Sequence, residues 1–437
     1  MVVSPDTIVA LSSGRLPAGI AVLRVSGPRT RFVVETIAGR VPQPRLATFA
    51  RFRNSIDQTI DSGLLLFFPG PHSFTGEDSA EFHVHGGKAV VAALLNELVA
   101  IAGVRPAEAG EFTRRAFLNG KVDLLETEAL ADLIAAETEA QRRLALLNAQ
   151  GGGSQTYMHW RNRLVRARAM IEAELDFADE SDVPDVAGES VWQDVADLLQ
   201  EILVHVRDYH RAEVVRDGFD VVIVGAPNAG KSSLLNALAK RDVAIVSDEP
   251  GTTRDLVEVS LDLGGVKVRL TDTAGIRDGA GKVEAIGIRR AKERASGADL
   301  VLYLLDPTAD AVSVPDVEEE KLVRLGTKCD LLPPARDVHL AVSSASQEGL
   351  SELLALLESR AVEAIGTIGD ILPFRLRHVR LLKETAACLE TALQPAKELE
   401  LRADDLRAAT VHLGRISGAV DVEDLLDVIF SQFCIGK

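Results

Sequence analysis

Cysteine is scarce: Cys329, Cys388 and Cys434 are the only three in 437 residues. They stand too far apart for a metal finger or a disulfide framework, so a reducing, cytoplasmic setting is expected. Long apolar runs are also missing. The longest, such as 63–68 and 300–305, are strand-sized and far short of the ~20 residues a bilayer requires, so no membrane association is expected. The N-terminus shows no basic region followed by an apolar core, and no signal peptide is expected. Basic charge is in deficit, with 48 Lys+Arg against 65 Asp+Glu and a net charge of −17. That balance excludes bulk attraction to nucleic acid; any RNA contact would have to use a local basic patch. What remains is an ordinary globular composition, 46% apolar and 26% charged, which rules out a disordered or collagen-like chain. The length suggests about three domains.

Three textures follow one another along the chain. Residues 1–118 mix strand candidates (7–10, 20–25, 64–68 and 80–84) with a helix near 89–102 and turn signals such as Pro69-Gly70-Pro71. An α+β domain is expected there. From 119 to about 217 apolar residues recur at helical spacing, as in Leu124, Leu125, Ala129, Leu133 and Ile134. The glycines at 151–153 mark a hinge or a tight turn. Arg161, Arg163, Arg166 and Arg168 read as a solvated helix face or as an RNA or nucleotide contact. Residues 179–197 hold seven acids and no base, a solvated loop and helix start. The apolar run 219–225 opens an α/β segment, 218–370, and helical spacing returns over 371–437. Two helical segments flanking one α/β domain suggest an insertion into a discontinuous helical domain. The expected fold is thus multidomain: an α+β N-terminal domain, a discontinuous α-helical domain and an inserted α/β P-loop G domain.

The strongest motif is Gly225-Ala226-Pro227-Asn228-Ala229-Gly230-Lys231-Ser232, with a strand pattern before it and a helix pattern after it. Its glycines let backbone N–H groups face phosphate oxygens at a helix N-terminus. Lys231 would neutralise the β- and γ-phosphates, and Ser232 would bind Mg²⁺; Ser233 follows on the same turn. Asp272-Thr273-Ala274-Gly275 has the form D-x-x-G, Asp272 suiting Mg²⁺ and Gly275 the γ-phosphate. Thr327-Lys328-Cys329-Asp330 stands in the place of a guanine-reading N-K-x-D. Asp330 can accept from the guanine N1–H and exocyclic amine, which adenine cannot satisfy. Ser344-Ala345-Ser346 would offer an amide to O6. GTP is therefore the expected nucleotide, bound more weakly than usual because Thr327 replaces asparagine. Thr253, in Gly251-Thr252-Thr253-Arg254-Asp255, would complete the Mg²⁺ shell. Ile276 follows D-x-x-G where a Ras-like enzyme carries a water-orienting glutamine. Arg254 is a candidate arginine finger or a structural residue. His83 and His85 lie on one strand face, too few for a metal.

Read together, these residues resemble the tRNA modification GTPases of the MnmE (TrmE) family. The likeness extends to Asp6-Thr7-Ile8-Val9-Ala10, Leu23-Arg24-Val25-Ser26-Gly27, the string from Pro69 to Asp78, His85-Gly86-Gly87, Gly110-Glu111-Phe112-Thr113, the string from Arg115 to Lys121 and the closing Cys434-Ile435-Gly436-Lys437. The resemblance implies a GTPase acting with the flavoprotein MnmG to install a carboxymethylaminomethyl-type group on the wobble uridine of certain tRNAs. It implies an N-terminal domain that forms a homodimer and binds 5-formyltetrahydrofolate or a related one-carbon folate, with contacts falling on Arg24, Glu81, Lys121 and Lys437. It also implies a K⁺ ion held by Asn228 and by Ser247, Glu249 and Thr252 of the switch loop, within nucleotide-binding segments that include Ala229, Gly230, Asp248 and Pro250. Two G domains would meet across those loops, and Glu284, twelve residues beyond Asp272, would position the attacking water. Cys434 is either a nucleophile or redox group in the uridine chemistry or a packing residue of the docked tail. Two rival readings are a scaffold GTPase whose switch merely times binding, and a folate-dependent methyltransferase without GTPase coupling.

Overall fold

Strand alternation organises the first half of the protein. In the computed structural model, which describes residues 6–176, 189–245, 258–272, 294–308, 317–333, 337–366, 369, 371–420, 426, 429–430, 433 and 436, the chain divides into two units. One comprises residues 1–131, 149–166 and 407–437, the other 132–148 and 167–406.

The first unit carries strands β1 (Thr7–Leu11), β2 (Ala18–Ser26), β3 (Thr48–Arg53), β4 (Thr59–Phe68), β5 (Ser79–Gly86) and β6 (Val104–Pro106). They form one sheet in the order β3-β4-β5-β2-β1-β6, antiparallel except for the parallel β1–β6 pair. Ala21, Leu23 and Val25 alternate into a core with Phe52, Phe67 and Phe82, as a half-buried sheet requires. Helices α1 (Thr30–Ala38) and α2 (Lys88–Ala100) close that core through Val33, Ile37, Leu94 and Leu98. Sequence reading anticipated α2 but not α1, β3 or β6. The β-branched Val33, Val34 and Ile37 argue against a helix by propensity. Tertiary packing overrides that, because Thr30, Val33, Val34 and Ile37 all reach the core from one helical face.

Helix α3 (Glu111–Leu118) is locked by charge. Arg115, 4% exposed, donates to Asp6 and Glu111 at 2.9 Å and to Glu77 at 3.2 Å, so a buried guanidinium has three carboxylate partners. The loop between β4 and β5 is pinned to the same network, with Ser26 Oγ donating to Glu77 at 2.8 Å and Asn119 to the Thr75 carbonyl at 2.8 Å. The strings from Pro69 to Asp78 and from Arg115 to Lys121 are thus two sides of one polar lock. At the chain end, Leu426, Phe430 and Phe433 pack on Leu124.

The second unit holds β7 (Phe219–Gly225), β8 (Glu258–Leu263), β9 (Val266–Asp272), β10 (Leu300–Leu305), β11 (Leu322–Gly326) and β12 (Leu340–Ala341). Their order is β12-β11-β10-β7-β9-β8, parallel apart from the β8–β9 hairpin. Near-continuous apolar runs such as β10, buried at five successive positions, are what a sheet covered on both faces needs. Helices α9 (Lys231–Ala239) and α10 (Leu350–Ile365) accompany it. The insertion has a direct structural mark. Helix α8 (Tyr209–Asp217) leads in, and its Arg211 and Arg216 donate to the carbonyls of Ile365 and Phe374, where the chain leads out. The remaining helices are α4 (Leu124–Ala135), α5 (Glu139–Ala149), α6 (Gly152–Asp176), α7 (Glu189–Arg207), α11 (Leu376–Ala392) and α12 (Leu399–Ser417). Gly151, at φ +84°, makes the tight turn between α5 and α6, one of the two alternatives anticipated.

Helices α7 and α11 pack together, and their contact contains a pH-sensitive group. Burial pushes the His205 imidazole down from 6.5 to about 4, with Asp208 opposing and His378 adding to the shift. The unfolded chain therefore binds a proton between pH 4 and 6.5 that the folded one refuses, so stability rises with pH across that window and is flat above it. The span amounts to about 3 kcal/mol at most. His205→Gln should flatten the melting temperature between pH 4.5 and 6.5, read by calorimetry; an undiminished slope would exclude His205 as its source.

Candidate nucleotide site

The carboxyl ends of a parallel sheet are where open α/β folds bind ligands, and β7 delivers the phosphate loop there. Gly225 is required by a close approach: a Cβ would lie 2.9 Å from the Leu304 carbonyl oxygen of β10. Asn228 and Gly230 take left-handed φ values of +64° and +97°, curling the loop into the first turn of α9. Lys231 is 7% exposed, and its ammonium donates to the carbonyls of Gly225 and Ala226, both at 2.9 Å. Burial pushes its pKa down while Asp272 draws it back up. A desolvated cation fixed at the mouth of a loop of N–H donors is ready for polyphosphate. Beside it, Ser232 Oγ donates to Asp272 Oδ2 at 2.8 Å, with Asp272 1% exposed. These two hard oxygen ligands suit Mg²⁺.

The base-reading side follows β11. Thr327 is buried, its N–H bonded to the Leu305 carbonyl at 2.9 Å and its hydroxyl to the same oxygen at 3.4 Å. The threonine thus anchors the loop to β10, not to the phosphate loop. Lys328 adopts φ +55° and its ammonium meets Asp306 Oδ2 at 2.6 Å. Burial would raise the Asp306 carboxyl, but bonds from Lys328 and Thr308 outweigh it and hold the group below the usual carboxylate range. The amides of Ala345 and Ser346 point at Ser343 Oγ, at 3.2 and 3.1 Å. Among the described residues none donates to the Asp330 carboxylate, which leaves its acceptors available.

A cavity of about 490 Å³ unites the two sides. Gly230 and Ser233 line it from the phosphate loop and α9, Thr327, Lys328 and Asp330 from the loop after β11, and Ser344 and Ala345 from the loop after β12. Sequence reasoning missed Asn236, Lys240, Ser343 and Gln347 of its lining. The α9 pair could have been found from helical spacing after Ser232; the other two carry no motif of their own. Ser247, Asp248, Glu249, Pro250, Gly251, Thr252, Thr253, Arg254, Thr273, Ala274, Gly275 and Glu284 lie outside the described residues.

In the first unit, Arg24 on β2 faces Glu81 on β5, in register, with nitrogen–oxygen distances of 3.0 and 3.1 Å. The guanidinium also sits 5.8 Å from the Phe112 ring and 5.9 Å from Phe74. The pair is partly open, with side-chain exposures of 27% and 20%. It combines an anion-binding group, an N–H acceptor and aromatic walls, which fits a pteridine with an acidic tail. Lys121 donates to the Pro71 carbonyl at 2.9 Å. The Gly436 carbonyl accepts from Ser12 Oγ at 2.8 Å, just beyond the end of β1, the strand that pairs Ala10 with Arg24. Cys434 and Lys437 lie outside the described residues. His83 and His85 stand on β5, bonded to Glu81 and Asp61. Arg161, Arg163, Arg166 and Arg168 all fall on α6, where Arg168 pairs with Glu172 at 2.7 Å.

Comparison with known proteins agrees with this geometry. The family model described as "GTP-binding protein TrmE N-terminus" matches residues 7–121, and "MnmE helical domain" matches residues 124–434. A protein named tRNA modification GTPase MnmE from Mesorhizobium japonicum is 61% identical, covering all of both chains. Proteins of the same name from Brucella anthropi and Chelativorans sp. are 58% and 57% identical over 99% of this chain and 98% of theirs. No helix among the described residues is long and apolar enough to cross a membrane.

Proposed function

The chain belongs to the MnmE (TrmE) family of tRNA modification GTPases, and from that membership we propose that it is the GTP-hydrolysing component of wobble-uridine modification in the cytoplasm. It acts on tRNA with the flavoprotein MnmG to place a carboxymethylaminomethyl-type group at the anticodon. The observation that carries this reading is the cavity joining the phosphate loop to Asp330 and Ser344, because an acceptor-rich base pocket at that end of the sheet selects guanine.

Ser232, Thr253 and Asp272 would hold Mg²⁺, which offsets charge on the β- and γ-phosphates. Among the proposed K⁺ ligands, Asn228 sits on the curled loop beside Lys231, and Ser247, Glu249 and Thr252 would supply the others. A monovalent cation there supplies the positive charge that an arginine finger gives elsewhere. Glu284 would orient water once two G domains of a homodimer meet. Arg24, Glu81, Lys121 and Lys437 would hold the formyl-folate, the arginine and lysines toward its carboxylates and Glu81 toward the pterin N–H edge. Cys434 would stand in the same tail as Lys437.

A potassium-assisted enzyme should hydrolyse GTP at least about tenfold faster in KCl than in NaCl of equal strength. Equal turnover in the two salts, measured by phosphate release, would remove K⁺ from the account. It would leave the scaffold reading, in which nucleotide state only times binding, as the better one.

A further inference from the structure

Asp306 follows directly on β10, at the carboxyl end of the sheet, and belongs to none of the motifs that mark the nucleotide site. Its side chain is 2% exposed, and both carboxylate oxygens are engaged. Thr308 gives Oδ1 its backbone N–H at 2.8 Å and its hydroxyl at 2.6 Å. Oδ2 accepts from the Lys328 ammonium at 2.6 Å, across 22 positions of sequence. A carboxylate buried this far is costly unless it is paired and hydrogen-bonded, and the pairing fixes one particular lysine. Lys328 lines the cavity of about 490 Å³. It takes a φ of +55°, a left-handed conformation that a lysine keeps only where its surroundings hold it. Its carbonyl accepts from the N–H groups of Leu331 and Leu332 at 2.9 and 3.3 Å, so the turn that carries Asp330 starts from this residue.

We infer that Asp306 is a positioning residue for the guanine base: through its ion pair it fixes the stem of Lys328 and the turn bearing Asp330 before nucleotide arrives. The role rests on the reading of this cavity as the guanine site. Thr327 adds weight to it. That residue stands where asparagine is usual, and its hydroxyl lies 3.4 Å from the Leu305 carbonyl, long for an O–H···O bond. Side-chain anchorage of the loop to the end of β10 therefore falls on the next residue, Lys328. With its ammonium on Asp306, Lys328 turns no free charge toward the phosphates, which Lys231 serves. What its side chain offers the cavity is an apolar stem, a surface for the flat face of a purine. Ordering that stem and the turn in advance spares nucleotide binding the cost of immobilising them.

The test is a double-mutant cycle on the full-length protein, with Asp306→Asn, Lys328→Met and the two combined. GDP affinity is read by equilibrium titration, and kcat and KM by GTP hydrolysis. Asparagine keeps an acceptor for Thr308 but gives up the charge that holds Lys328; methionine keeps most of the stem but gives up the ammonium. Each single variant should weaken GDP about tenfold and raise the KM for GTP to match, with kcat within about twofold of the parent. The double variant should lose no more than either single one. Inhibition by inorganic triphosphate, which fills the phosphate loop without a base, should stay at the parental level in all three, and a general loosening of the site would not spare it. Parental GDP affinity in Asp306→Asn, additive losses in the double variant, or triphosphate inhibition that falls in step with GDP would each overturn the role of Asp306 alone. Should one single variant fail to fold, the other carries the same readouts, and parental GDP affinity in it overturns the role. A parent protein that prefers adenine to guanine nucleotides would overturn the reading of the cavity as well.

Discussion

Asp330→Asn will exchange guanine for xanthine nucleotides. The carboxylate lines the cavity with both oxygens available to the N1–H and the exocyclic amine of guanine. The amide replaces one acceptor with a donor that confronts that amine, but it matches the O2 carbonyl of xanthine. Hydrogen bonds to a charged group are worth about 1.5–3 kcal/mol each. Losing one, while the other loses its charge assistance, predicts a fall in guanine nucleotide affinity of roughly 10–10³-fold, with xanthosine triphosphate becoming the better substrate. Competition binding with the two diphosphates measures it directly. A variant that still prefers guanine would show that Asp330 does not read the base.

Lys231→Met should abolish turnover without harming the fold. The ammonium is buried against two loop carbonyls, and burial depresses its pKa, so the folded protein holds this charge at a cost. Removing it while keeping the stem leaves the melting temperature of the nucleotide-free protein unchanged or slightly raised. The phosphates lose their principal cation, and hydrolysis should fall by roughly 10²–10³-fold or more. The stabilisation that excess GTP confers on the parent should shrink in step with affinity. A variant that melts well below the parent without nucleotide would mean that Lys231 acts mainly as a structural clasp for the loop.

These two residues were legible in the sequence because spacing alone places them: a glycine-rich turn between an apolar strand and a helix, and a lysine–aspartate pair after another strand. Apolar periodicity likewise located the α/β segment and its insertion. Side-chain partnerships were not legible, because they join residues far apart in sequence. Arg115 is an ordinary helix residue until Asp6, Glu77 and Glu111 converge on it. Asp306 looks like a loop acid until Lys328 bonds it. Thr327 was read as a lost contact to the purine; the structure shows what it does instead, tying the base loop to β10. Helix α1 was missed because the β-branched residues that lower its propensity are the ones the core buries.

The account turns on the nucleotide site serving tRNA modification, and the nucleosides of cellular tRNA test that most directly. Digested tRNA from cells lacking this protein should have lost the carboxymethylaminomethyl-type group at the wobble uridine, with the intact chain restoring it and the Lys231→Met variant failing to. Wobble uridines that remain fully modified without the protein, or that the variant restores as well as the parent, would contradict it.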